Sequence, residues 1–108
     1  MGLAQEKCEA CHVPQAPLSQ EEAQELHQQV KDWALKENVL EREFKFEDFD
    51  EAMDFVNDVA ALAHDADHHP DIHISYNRVR LELTTHKIKG LSRNDFVLAA
   101  RIDQLIVS

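Results

Sequence analysis

The 108-residue sequence holds only two glycines, three prolines, two cysteines, one tryptophan and one tyrosine. So little glycine and proline excludes a collagen-like repeat, a low-complexity chain and a long flexible linker. Two cysteines are too few for a disulfide-stapled scaffold. Basic residues are the scarcer charge: 11 Lys and Arg stand against 21 Asp and Glu, for a formal net charge of −10. Phosphate contacts need a basic footprint, so this balance argues against a nucleic-acid binder. Apolar runs are only a few residues long, which argues against a membrane span. The opening Met1-Gly-Leu-Ala-Gln-Glu-Lys7 lacks the basic start and apolar stretch of a signal peptide. The expectation is a cytoplasmic single domain with reduced thiols. At this length folding buries roughly two-thirds of the unfolded surface, so self-association would add useful burial.

What is present is unevenly placed. Residues 20–58 hold 13 acids and 4 bases, whereas residues 69–108 hold 4 acids and 6 bases. The acidic half reads as solvated helix faces, and the C-terminal half as the better place for an anionic or electron-rich ligand. Residues 1–18, with Pro14 and Pro17, read as an extended lead-in; residues 19–108 read as the folded domain.

Three helices follow from caps and spacing. Ser19-Gln-Glu-Glu22 is a capping box, followed by an apolar stripe of Ala23, Leu26, Val30 and Trp33. Asp48 with Glu51 starts a second helix, with Ala52, Met53, Val56, Val59, Ala60 and Ala63 on its stripe. Ser92 with Asp95 starts a third, carrying Phe96, Ala99, Ala100, Ile102 and Ile106, and Gly90 just before it suits a tight approach. Alternation marks strands at Leu40, Phe44 and Phe46, at Ile72, Ile74 and Tyr76, and, after a turn near Asn77-Arg78, at Val79, Leu81, Leu83 and Thr85. The pattern predicts an α+β fold, an antiparallel sheet with helices on one face. If Val79, Leu81, Leu83 and Thr85 face the helices, His86 lies at the open side or rim of the sheet.

The excess is histidine: seven, of which His64, His68, His69, His73 and His86 fall within 23 residues. A helix continuing through His68 would put His64 and His68 on one face. Pro70 then forces His69 into extended backbone. Such a cluster has three readings. One is a histidine-rich helix end without function. A second is a zinc-type site, though no HExxH motif and no cysteine accompany it in that segment. The third is acid–base chemistry, in which one imidazole donates a proton while another accepts one. A site made mainly of histidine, without a nucleophile or cofactor motif, favours the third, in a proton-moving reaction such as dehydration or isomerisation.

His64-Asp-Ala-Asp-His68-His69-Pro70, then Tyr76, His86 and Asp95 at their spacings, resembles the signature of the pterin-4a-carbinolamine dehydratases. Thr84-Thr-His86-Lys-Ile-Lys-Gly90-Leu-Ser-Arg-Asn-Asp95 and Leu98-Ala-Ala-Arg-Ile-Asp103 extend the likeness, and Cys8-Glu-Ala-Cys11 is similar to bacterial members. That family is also known as the dimerisation cofactor of a homeodomain transcription factor. The resemblance implies a four-stranded antiparallel sheet with three helices packed on one face. The fourth strand is then expected as a short one around Leu35 to Asn38. It implies a homodimer or homotetramer, and a lyase that removes water from 4a-hydroxytetrahydropterin to give quinonoid dihydropterin. That reaction recycles the tetrahydropterin of aromatic amino-acid hydroxylases; the pterin is the substrate, and no cofactor or metal is expected. By motif position the catalytic residues are His68, His69 and His86, with His69 and His86 expected nearest the proton transfers and His68 expected to bind substrate or share the acid role. Pro70 is expected to shape the turn, Tyr76 to support or line the pocket, Asp67 to balance local charge, and Asp95 to orient His86 or the pocket wall. His64 stands where the family most often has a substrate-side Glu, a change of about one charge.

Cys8-Glu-Ala-Cys11-His12 also fits the C-x-x-C-H haem attachment pattern, but that chemistry needs export and a haem pocket, and the sequence suggests neither. Two thiols and one imidazole fall one ligand short of a structural zinc site. The simplest reading is a tail with two reduced thiols. The alternative for the whole chain is a non-catalytic binding, assembly or transcriptional-cofactor protein on the same fold.

Overall fold

Residues 17–106 are described in a computed structural model, except for the side chain of Lys87. The Cys8-Cys11-His12 motif lies outside the described residues. Helix α1 (Gln20–His27) starts with the expected capping box: Ser19 Oγ accepts the Glu22 N–H and Glu22 Oε1 accepts the Ser19 N–H, both at 3.1 Å. The box lowers the Glu22 pKa, because the bonds from Ser19 favour its charged form. The helix is shorter than its apolar stripe predicts. Val30 and Trp33 are buried, but from turns beyond the helix. The Val30 N–H donates to His27 O and the Trp33 N–H to Val30 O, each at 3.0 Å, while His27 Nε2–H donates to Trp33 O at 2.6 Å. Bonds spanning three residues keep Val30 and Trp33 on one side, as a helix would, so the spacing alone did not separate the two.

Strands β1 (Ala34–Lys36), β2 (Val39–Lys45), β3 (Asp71–Ser75) and β4 (Arg78–Leu83) form one antiparallel sheet in the order β1-β2-β4-β3. β1 is the short strand expected near Leu35. Parity holds: Leu40, Val79, Leu81 and Leu83 are fully buried against the helices, and Glu43, Lys45 and Arg80 point outward. Helices α2 (Phe49–Ala66) and α3 (Arg93–Leu105) cover the inner face with α1, giving the α+β architecture. Asp48 caps α2 by accepting the Glu51 N–H at 2.8 Å. Its buried seam includes Phe55, which stacks on Phe44 and Phe46 with centroids 4.7 and 5.0 Å apart. Phe55 lies outside the predicted stripe, whereas Ala60, predicted on it, is exposed; Ile106 lies beyond α3 and is also exposed.

Two chain reversals position the histidines. At the end of α2, Asp67 adopts left-handed backbone (φ 52°), and the His68 N–H bonds back to Ala63 O at 3.1 Å. That closure stops the helix before His68, so His64 and His68 do not share a helical face. His69 and Pro70 then lead extended into β3. After β4, Thr85 pairs with Gly90 across a 3₁₀ turn at His86–Ile88. Gly90 is required by contact: a Cβ there would lie 2.6 Å from the Pro17 Cβ. The Leu18 N–H donates to Leu91 O at 2.8 Å, so the packed unit already includes Pro17 and Leu18.

Candidate active site

Asp95 sits in the first turn of α3 with its side chain fully buried. A buried carboxylate needs donors, and it has three. The Thr85 hydroxyl donates to Asp95 Oδ2 at 2.8 Å, and the Ser92 N–H donates to the same oxygen at 2.9 Å. His68 Nε2 is hydrogen-bonded to Asp95 Oδ1. Thr85 Oγ1 and Ser92 Oγ lie 2.8 Å apart. Among the described residues no buried side-chain nitrogen or oxygen lacks a partner.

This carboxylate joins the two reversals. His68 and Thr85 both bind it, so their chain neighbours His69 and His86 are brought to the same rim, one residue or about 3.8 Å of backbone away from each anchor. His69 and His86 are exposed and His68 is half-buried. The structure therefore joins His68 to Asp95 and leaves His69 and His86 as the chain neighbours of two residues that bind it, with Pro70 half-buried after His69. It changes one pairing: Asp95 holds His68, not His86. The parity that sends Thr85 inward sends His86 outward, and the shortened α2 leaves His68 free to turn toward α3.

The remaining candidates fall elsewhere or at the margin. His64 is exposed on the last turn of α2, and Asp67 is the exposed left-handed cap. Tyr76 is not brought to the site. It occupies the turn between β3 and β4, about five residues and roughly 17 Å along the hairpin from the His68 end. His73 lies on the open face of the sheet, with Nε2 3.0 Å from Glu82 Oε1. The sequence marks Thr85 as a strand residue and Ser92 as a helix start, not as parts of the site. Their signal was nevertheless present, in the inward parity of Thr85 and the capping position of Ser92 next to Asp95. Among the described residues no three His, Cys, Asp or Glu side chains are grouped as metal donors.

A family profile described as Pterin 4 alpha carbinolamine dehydratase matches residues 16–105. The chain belongs to this family. Within it, a Nitrosococcus oceani protein assigned as a pterin-4-alpha-carbinolamine dehydratase is 49% identical over 109 residues, covering 96% of each chain. A Nitrosomonas eutropha protein with the same assignment is 46% identical over 107 residues, covering 98% of this chain and 95% of its own. A crystal structure of a transcriptional coactivator/pterin dehydratase from Brucella melitensis superposes with TM-score 0.78 at 31% identity, over 82% of this chain and 97% of that one. The fold extends to a pterin dehydratase-like protein described as a RuBisCO assembly factor of the alpha-carboxysome (TM-score 0.56, 24% identity, 68% of this chain and 84% of that one).

Proposed function

We propose that the protein dehydrates a 4a-hydroxytetrahydropterin to quinonoid dihydropterin and water, using histidine acid–base catalysis. The observation that supports the reading is the buried Asp95–His68 pair, with His69 next to His68 and His86 next to the Asp95 ligand Thr85 in the chain, on a member of the pterin-4a-carbinolamine dehydratase family. The reaction is redox-neutral. The C4a–O bond breaks, a proton moves onto the departing oxygen, and the ring N–H proton goes to a base as the C=N bond forms. Hydroxide leaves poorly, so both transfers need positioned groups, each worth about 10²–10⁴-fold. In this reading the imidazoles of His68, His69 and His86 serve as the proton donor and acceptor.

The substrate class fits tetrahydropterin recycling beside an aromatic amino-acid hydroxylase, in the cytoplasm and as a homodimer or homotetramer. No helix among the described residues is long and apolar enough to cross a membrane. The test is the rate at which the purified full chain removes the ultraviolet signal of a 4a-hydroxypterin, with and without a chelator. Acceleration that the chelator leaves intact is expected. A rate equal to the uncatalysed one overturns the reading and favours a binding or assembly role.

A further inference from the structure

The donors around Asp95 form a one-way series. An ionised carboxylate only accepts, and a hydroxyl has a single proton to give. Thr85 gives its proton to Asp95 Oδ2, so its contact with Ser92 requires Ser92 Oγ–H to donate to Thr85 Oγ1. The Ser92 N–H fixes the same carboxylate oxygen from the helix end. Thr85 and Ser92 are buried, with relative exposures of 9% and 2%, so water does not readily replace either donor. With Oδ2 held from two sides, the carboxylate plane is set and Oδ1 meets His68 Nε2. A carboxylate oxygen there demands a proton on Nε2, and a neutral imidazole with Nε2–H keeps its lone pair on Nδ1.

We propose that Thr85 and Ser92 are positioning residues of this site: their hydroxyls fix Asp95, which holds His68 as the Nε2–H tautomer and makes Nδ1 its proton-accepting atom. Resting on the dehydratase reading, this gives His68 the ring N–H proton and leaves the solvent-facing His69 and His86 to protonate the departing oxygen. Neither hydroxyl touches substrate; each acts through Asp95.

Two readouts test the proposal. The first is the imidazole ¹⁵N spectrum of His68 in the free full-length protein, which reports the tautomer without any activity. Wild type should show a protonated Nε2 and an unprotonated Nδ1. Thr85→Val, of equal shape but without the hydroxyl, should show a mixture. The second is kinetic: Thr85→Val should lower kcat about tenfold or more with little change in KM, and Thr85→Ser should restore most of it. If Thr85→Val does not fold, Ser92→Ala carries both comparisons. A wild-type His68 protonated at Nδ1, or a Thr85→Val protein with both the wild-type tautomer and the wild-type kcat, overturns the proposal. A wild type without dehydratase activity whose tautomer still depends on Thr85 sinks the dehydratase reading alone.

Discussion

His68 and His86 stand in different surroundings, so their removal should fail in different ways. His86 is exposed on a 3₁₀ turn, and His86→Ala should cut the dehydratase rate at least about tenfold while leaving the melting temperature unchanged. His68→Ala should cost rate and also about 1–3 kcal/mol of stability, because it withdraws a donor from the buried Asp95. Urea unfolding beside the assay separates the two effects; equal stability losses would contradict the geometry. The residue types and spacings of His68-His69-Pro70, His86 and Asp95 were legible in the sequence, because rare side chains at fixed intervals survive without coordinates. The partner of Asp95 was not. Finding it requires knowing that α2 stops two residues before His68, at Ala66, and the local signal was the cap Asp67, a residue type that tolerates left-handed backbone.

Among the described residues, left-handed backbone is taken without glycine. Asp67, Tyr76 and Lys89 all have positive φ, between 51° and 56°, where a side chain costs roughly 1–2 kcal/mol. Tyr76 is the first residue of the two-residue turn between β3 and β4, a position that favours glycine when φ is positive. The turn is held in place by Asn77, whose Nδ2 donates to Phe46 O at 2.9 Å. Tyr76→Gly should therefore raise stability by about 0.5–1 kcal/mol, the relieved strain outweighing the added freedom of the unfolded chain. A lower melting temperature would show that the Tyr76 ring contributes packing that its exposure does not suggest. The helix starts at Ser19, Asp48 and Ser92 were readable because each cap names its own donors. The end of α1 was not, because Val30 and Trp33 keep a three-residue spacing that both a helix and successive turns satisfy.

At the scale of the molecule, α3 is tied to the sheet and to the segment before β1 through one carboxylate. Asp103 Oδ1 accepts from Trp33 Nε1–H at 2.8 Å and from Arg42 Nη1 at 2.7 Å, and the Arg42 guanidinium lies 4.5 Å from the Phe44 ring centroid. Burial raises the Asp103 pKa above its ordinary 3.8, while Trp33 and Arg42 pull it back. A folded pKa above the unfolded one means this group favours folding most at low pH, and the benefit declines as pH rises through the folded value. Arg42→Met removes the compensating charge, so its cost should be small near pH 4 and grow to about 1–3 kcal/mol at neutral pH. Urea midpoints at the two pH values check this, and a cost independent of pH would contradict it. The acidic excess of the opening composition lies mostly in residues 20–58 and takes no part in the site, whereas one histidine, His68, binds a buried aspartate and two more, His69 and His86, are chain neighbours of residues bound to it. The most direct measurement is the dehydratase assay on the purified wild-type chain with His68→Ala and His86→Ala beside it. Wild type should exceed the uncatalysed rate and each variant should fall at least about tenfold below wild type; a wild type no faster than solvent, or variants as fast as wild type, would contradict the assignment.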